Sequence, residues 1–190
     1  MSRSGESAYR LVEGEPEAFS PDQRAALDAL LVRIWPPREP RDPYRVDFEA
    51  RTDSRPCRRL HTLWDGATAV AHAESFARTV SLPTGAHTVL ALASVCTAPA
   101  QRGAGHGRAV TLAAFARVDD GEFPLALFQT PVPEFYRRLG AGVVGNTFCN
   151  RLHPTAPGAS PWWDETVMIY PANAPTWPRE GAVDLRGPGY

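Results

Sequence analysis

Apolar positions along this 190-residue chain change their period several times, and each change marks an element. Leu27, Leu30, Leu31 and Ile34 recur at helical spacing and form one stripe. Ser20-Pro21-Asp22-Gln23 stands before them, with a serine cap, a proline at the first helical position and a glutamine that closes a capping box. Pro36-Pro37 stops that helix. Ala8 to Val12 predicts a first strand. Arg59 to Trp64 and Thr68 to Phe76, the second extending to Val80, predict two strands joined at Asp65-Gly66. After a turn at Pro83-Thr84-Gly85, Thr88 to Thr97 is apolar on both faces and predicts a buried central strand. Arg108 to Val118 predicts a helix whose small face, Ala109, Leu112, Ala113 and Ala116, would lie close to a sheet. Pro124 to Gln129 predicts a strand, and Val132 to Leu139 a short helix ended by Gly140. Val143 to Phe148 and Thr166 to Tyr170 predict further strands around a Pro/Trp-rich loop.

The remaining stretches carry no such period. Residues 1–7 are small and polar and predict a frayed end. Residues 36–56 predict a long loop near a substrate entrance, and the tail from Pro171 to Tyr190 has too many prolines and glycines for regular structure. With no internal repeat and no linker, residues 1–190 predict a single mixed α/β domain with a mostly antiparallel sheet flanked by helices.

Composition narrows the classes of function. The 43% of hydrophobic residues allows a substantial core, and a formal charge of -1 removes the global footprint of a nucleic-acid binder. No apolar run is long enough to span a bilayer and no signal-peptide pattern opens the chain, so a cytoplasmic protein without a membrane partner is expected. Three cysteines, Cys57, Cys96 and Cys149, have no metal-ligand spacing and an odd count, which fits reduced thiols and no metal.

The chemistry concentrates in Gln101-Arg102-Gly103-Ala104-Gly105-His106-Gly107-Arg108, between the central strand and a helix. A loop this poor in side chains can turn several backbone N–H groups on one anion, and the following helix adds its unsatisfied amides and positive dipole end. Two arginines flank it, and a pyrophosphate is the simplest ligand for such a nest. The loop follows hairpins, not a first strand, and no acidic residue closes a second strand about 20 residues on, so a Rossmann site is excluded. It lacks the Gly-Lys-Ser/Thr ending of a P-loop. The bland alternative is a tight strand-to-helix connection with no ligand; three glycines at 103, 105 and 107 exceed what one turn requires.

Val95-Cys96-Thr97 followed by Arg102-Gly103-Ala104-Gly105-His106-Gly107, and then Phe135-Tyr136-Arg137-Arg138-Leu139-Gly140 behind a strand, resemble the GNAT superfamily of acetyl-CoA-dependent N-acetyltransferases. The order of elements over residues 8–170 matches as well. Within that superfamily the chain looks most like the aminoglycoside 2′-N-acetyltransferases. Ala71-His72-Ala73, Tyr136 and the ending Val183-Asp184-Leu185-Arg186-Gly187-Pro188-Gly189-Tyr190 carry this narrower likeness. The resemblance implies that the amides of Val95 and Thr97, with Cys96 between them, pair with the pantetheine arm of acetyl-CoA. It implies that the run Gly103, Ala104, Gly105, His106, Gly107 and Arg108, flanked by Arg102, holds the diphosphate. It further implies that the fourth and fifth strands splay to admit the thioester, and that Tyr136 protonates the departing thiolate. A small-molecule amine, an aminosugar antibiotic with kasugamycin-like compounds among the candidates, is the implied acceptor, and a homodimer the implied assembly.

Related enzymes often place a glutamate on the fourth strand before the cofactor-pairing run, where this chain has Ala93-Ser94. The base is open between Glu74, His72, Asp164, Glu165, the terminal carboxylate of Tyr190 and bulk water. His72, flanked by alanines, also reads as a hydrogen-bonded interior residue. Cys96 next to the cofactor run raises an acyl-cysteine, but no His and Asp/Asn spacing accompanies it, and a packed thiol is the default. Trp162-Trp163-Asp164-Glu165 reads either as a wall for a cyclic amine, with carboxylates for its cation, or as a hydrophobic plug. Asp184 and Tyr190 read either as a substrate lip or as a docked terminus. A non-catalytic acyl-CoA sensor, and an acetyltransferase for another small amine or a peptide amine, stay open beside the aminosugar reading.

Overall fold

The structure is a computed structural model that describes residues 9–36 and 55–190. The expected frayed end over residues 1–7, and most of the expected loop over 36–56, lie outside them. The described chain has nine strands and three α-helices: β1 (Arg10–Gly14), α1 (Pro21–Ile34), β2 (Arg59–Asp65), β3 (Thr68–Leu82), β4 (Gly85–Thr97), α2 (His106–Asp119), β5 (Ala126–Gln129), α3 (Pro133–Arg137), β6 (Gly142–Val143), β7 (Thr147–Cys149), β8 (Val167–Tyr170) and β9 (Ala182–Asp184). The sheet runs β1-β2-β3-β4-β5-β8-β6, with β9 pairing both β3 and β7. Among the described residues only the β4–β5 and β7–β9 pairs are parallel. This is the expected mixed fold, mostly antiparallel. Among the described residues no helix is long and apolar enough to cross a membrane.

Helix α1 begins as its sequence requires. Ser20 Oγ accepts from the Gln23 amide, and the Gln23 side chain accepts from the Ser20 amide. Its stripe packs Leu27 and Leu30, with Leu31 and Ile34 at the margin, on Trp64, Cys96 and Ala98. Helix α2 covers the opposite face of the sheet, but not with the face its small residues suggest. Val110, Thr111, Ala114, Phe115, Arg117 and Val118 are buried, and Ala109, Leu112, Ala113 and Ala116 are only half-buried. The reason is a polar network that claims Arg117. Its Nη1 donates to Ser75 Oγ at 2.9 Å and to the Cys57 carbonyl at 3.0 Å, while Nε and Nη2 engage the Glu122 carboxylate. A buried arginine on the sheet side disguises the apolar stripe that Val110, Ala114, Phe115 and Val118 otherwise form.

Two further expectations fail in the C-terminal third. Val143 to Phe148 is not one strand: β6 pairs with β8, and β7 pairs with β9, on either side of a break at Val144-Gly145-Asn146. The tail is not irregular throughout. Val183 lies in β9, and Val183, Leu185 and Tyr190 are buried against Phe76, Leu127 and Trp162. Pro and Gly around residues 182–184 hide a strand supported by two neighbouring strands, Ser81↔Asp184 on one side and Phe148↔Val183 on the other. Asp184 Oδ1 accepts from the amides of Arg151 and Arg186, which ties the tail down.

Phe115 is the centre of the α2 face. It is fully buried and stacks on Tyr170 at 3.9 Å between ring centroids. Phe115→Ala is expected to destabilise the fold by about 3–5 kcal/mol, as a cavity-forming aromatic truncation does. Equilibrium urea denaturation measures it, and a loss under about 1 kcal/mol would contradict this packing.

Candidate active site

The parallel ladder between β4 and β5 is two residues long, Leu90↔Ala126 and Ala91↔Leu127. Past it the strands part. On β3 the register jumps between His72↔Cys96 and Glu74↔Ala93, so one residue of β3 faces two of β4. Ser94 in that bulge sits in the left-handed region at φ 55°. A bulge adds a bend and local twist to its strand. The gap opens into a cavity of about 590 Å³. Leu92 to Val95 of β4 and Phe128 to Val132 at the end of β5 line it, with Tyr136 of α3, Trp35, Arg55, Trp163, Asp164 and Tyr190.

Tyr136 is buried, with its ring against Phe128 at 4.7 Å and Phe135 at 4.8 Å. Burial pushes its pKa up and the charge of Cys96 adds to this, while a hydrogen bond with Thr130 opposes them. The phenol therefore stays protonated across the ordinary pH range, available as a donor and reluctant to give its proton away entirely.

The glycine turn follows β4 directly. Gly103 and Gly105 hold φ of 85° and 82°, values that favour glycine, and a Cβ added at either meets open space. Gly105 is the N-cap of α2 with no side-chain cap, so the first amides of α2 face outward without a side-chain acceptor. A Cβ at Gly107 would come within 3.0 Å of Thr97 Oγ1. Arg102, Ala104 and Arg108 are exposed around the turn, whereas His106 is buried with its ring 4.3 Å from that of Tyr9. The turn thus fits an anionic group: open space above small residues, uncapped amides and two exposed arginines.

The other expected residues separate. Trp163 and Asp164 line the cavity, and their amides both donate to Gln129 Oε1 at 2.9 Å. Gln129 Nε2 donates to the main-chain oxygen of Tyr190, where a terminal carboxylate was expected, at 3.1 Å, and the Tyr190 hydroxyl donates to the Leu127 carbonyl at 3.0 Å. Trp162 is buried in the apolar cluster under the tail, whereas Trp163 is exposed and lines the cavity. Glu165 lies on a neighbouring depression of about 460 Å³ and not on the main cavity. Asp184 is occupied by the amides of Arg151 and Arg186 and is not among the residues that line the cavity.

Neither Glu74 nor His72 lines the cavity. Glu74 is buried between Arg55, at 2.6 Å, and Arg58, at 2.7 Å. Burial alone would raise its pKa, but the two guanidiniums and their hydrogen bonds outweigh it and hold the carboxylate below its ordinary range. A carboxylate so committed is a poor proton acceptor. His72 bonds Thr62 Oγ1 at 2.9 Å beneath α1, and burial lowers its pKa to about 4 against the opposing pull of Glu74. Cys96 is buried too, and burial pushes its thiol up to about 12, which removes the acyl-cysteine route. Sequence reasoning missed Trp35, Arg55, Gln129, Thr130 and Val132. No motif marks them; they meet only because the chain before β2 and the end of β5 converge on one gap.

The acetyltransferase (GNAT) domain family matches residues 36–144 of this chain, more than half of it. The chain belongs to that family. Its fold is similar to that of the Escherichia coli GNAT family N-acetyltransferase YhbS, solved in complex with CoA. That likeness has a TM-score of 0.60 at 13% identity, over 97% of this chain and 93% of that one. Escherichia coli ElaA is similar at a TM-score of 0.56 and 15% identity, over 85% and 99%. A GCN5-related N-acetyltransferase from Kribbella flavida is similar at a TM-score of 0.55 and 20% identity, over 73% of this chain. This acetyltransferase-family chain spans only 34% of that protein's length. No curated protein matches the chain.

The neutral burial of His72 has a consequence for stability. Between the ordinary value of 6.5 and about 4 the unfolded chain binds a proton that the folded chain refuses. Stability therefore falls as pH drops through that window, by roughly 3 kcal/mol when the drop is complete. Glu74, with a lowered pKa, adds to the loss below its ordinary value of 4.5. Urea denaturation at pH 7, 5.5 and 4.5 is expected to show the decline, and His72→Gln to flatten its upper part. An unchanged slope in the variant would contradict it.

Proposed function

We propose that this chain transfers an acetyl group from acetyl-CoA directly to the primary amine of a small acceptor. An aminosugar, of the kind acetylated at a 2′ amine in aminoglycoside and kasugamycin-like antibiotics, is the acceptor class the sequence resemblance favours. The observation that carries the reading is the placement of Tyr136 on the wall of a cavity that opens where β4 leaves β5, with the glycine turn at the end of the same strand.

Each residue then has a task. The amides on the freed edge of β4, at Val95 and Thr97, receive the pantetheine arm as an added strand would be received. The turn from Gly103 to Arg108 holds the diphosphate. Acetyl-CoA supplies the activated acyl group: the amine nitrogen bonds to the carbonyl carbon, the C–S bond breaks, and its electron pair leaves on sulfur. Tyr136 donates to that sulfur as the charge appears. Of the expected set, Asp164 and Tyr190 line the cavity; the main-chain oxygen of Tyr190 is held by Gln129 Nε2, so Asp164 attracts the acceptor's ammonium and takes its proton, with solvent as relay. Acetylation removes a cation from the acceptor, which would blunt an antibiotic that grips RNA by charge. Ala93 in place of a fourth-strand carboxylate favours one second reading, an acyl-CoA-binding protein without turnover.

Free thiol released from acetyl-CoA with a panel of aminoglycosides and simple amines separates the two readings. Release with at least one amine supports the enzyme; tight cofactor binding with no release supports the sensor. Tyr136→Phe is expected to lower kcat on the order of 100-fold while the acetyl-CoA Kd stays within about twofold. Equal turnover would remove Tyr136 from the mechanism. Gly107→Val crowds Thr97 and the turn, and is expected to weaken acetyl-CoA binding by about tenfold or more in calorimetry, the cost of disturbing charge-assisted amide contacts. Unchanged affinity would displace the diphosphate from this turn.

A further inference from the structure

We propose that the acceptor of this cavity bears a carboxylate in addition to its amine, and that Arg55 is the residue that selects for it. The inference rests on the acetyltransferase reading and narrows its substrate class to zwitterionic amines.

Arg55 stands before β2 and lines the cavity with a side chain 28% exposed. It is held in place from two sides. Glu74 Oε1 accepts from its Nη1 at 2.6 Å, and its guanidinium carbon sits 5.0 Å above the Phe76 ring centroid. Glu74 orients this arginine without neutralising the wall. The same carboxylate also binds Arg58 through Nε and Nη2, so one negative charge serves two positive ones and the trio keeps a net charge of +1. The contact with Glu74 engages one terminal nitrogen of a planar fork that carries five N–H donors and matches a carboxylate in shape.

The negative charge on the lining has a different support: Asp164, and the terminal carboxylate of Tyr190, whose main-chain oxygen accepts from Gln129 Nε2 at 3.1 Å. Asp164 stands just before β8, with its amide fixed to Gln129 at the end of β5. Glu74 faces Ala93 across the β3–β4 ladder. The positive trio therefore borders the β3–β4 side of the gap and Asp164 the β5–β8 side, with Tyr136 also on the lining. An ammonium belongs with Asp164 and an acid with Arg55. A polycation without an acid would set like charge against the trio; an aminosugar or amino acid bearing a carboxylate would not.

Arg55 is not a cofactor phosphate ligand in this arrangement. Phe76, beneath it, belongs to the apolar cluster on the tail-covered face, whereas α2 and the glycine turn at its start lie on the other face of the sheet. The rim adds a further requirement. Trp35, Val132 and Trp163, exposed at 51%, 54% and 59%, all border this cavity. They offer flat apolar surface to a sugar ring or to an apolar side chain.

Matched ligands test the charge requirement. Glucosamine and muramic acid share a 2-amine and differ by a lactyl carboxylate; phenethylamine and phenylalanine differ by a carboxylate alone. Each is titrated by calorimetry into the protein saturated with CoA. The acid-bearing member of each pair is expected to bind about tenfold tighter or more, the scale of one charge-assisted contact. Tighter binding of muramic acid alone assigns the acid to a sugar, and of phenylalanine alone to an amino acid; either supports the proposal. Arg55→Gln is expected to bring the ratio to about one with CoA affinity kept, and Arg55→Lys to restore it in part, since Lys keeps the charge and loses the fork. Arg58 still pairs Glu74 in both variants, and a thermal melt confirms that each is folded. Equal binding within both pairs, no binding of either acid, or a ratio that survives Arg55→Gln overturns the proposal. Thiol release with the same four amines reports separately on the acetyltransferase reading: acid-selective binding without turnover would defeat that reading and leave the charge selection standing.

Discussion

The brevity of the β4–β5 ladder governs this structure. Two residue pairs hold the strands together, and beyond Ala91 the edge of β4 faces a cavity and not a neighbour. Unpaired backbone groups inside a sheet are costly unless water or another group pairs them, so an edge left open toward a cavity is one that can receive an added strand. The bulge at Ser94 bends β4 at this point, and α3 follows β5 closely enough to bring Tyr136 to the gap. Remove the divergence, and Tyr136, Trp163 and Asp164 no longer share one space.

The gap also explains how two halves of the sheet are kept apart without collapsing. On one side β3 and β4 are joined over eleven registered pairs and covered by α1 and α2. On the other, β5 and β8 carry β6, and the tail crosses beneath to return through β9 to β3. Tyr190 sits where these halves meet, its ring against Phe76 of β3 and Trp162 and its hydroxyl on the Leu127 carbonyl of β5. Arg78 of β3 reinforces the closure by donating to the carbonyls of Leu185 and Pro188. The tail is thus a strap across the divergence, which is why residues with poor strand propensity are nonetheless buried.

Legibility in the sequence followed the range of the forces. Ser20 to Gln23 could be read because a capping box is local, and Gly103 to Gly107 because small residues at alternate positions advertise backbone chemistry. The hairpin at Asp65-Gly66 was visible for the same reason. Strand β9 was not, because its stability comes from β3 and β7 far away in the chain. The face of α2 was misassigned because Arg117 is buried by Cys57 and Ser75, partners far outside any window of sequence around it. In the candidate site, Tyr136 and the glycine turn carried motif signals. Arg55 and Gln129 are ordinary polar residues until tertiary structure brings one to Glu74 and the other to Trp163 and Asp164.

Two buried polar networks on opposite faces show why chemistry cannot be assigned from residue type alone. Ser75 Oγ lies 2.8 Å from His61 Nε2, and His61 Nδ1 lies 2.7 Å from Glu13 Oε1, the connectivity of a nucleophile, base and acid. Yet Ser75 and His61 are fully buried, and the Ser75 hydroxyl already binds Arg117, so the trio joins β1, β2, β3 and α2 and meets no substrate. Glu74, one residue earlier, points to the other face and would look like a base in isolation. Two guanidiniums lower its basicity and turn it into a support for Arg55. Alternation along one strand therefore sends Ser75 to a structural brace and Glu74 to the margin of a reaction cavity. Asp164 lines that cavity instead, with its backbone amide fixed by Gln129.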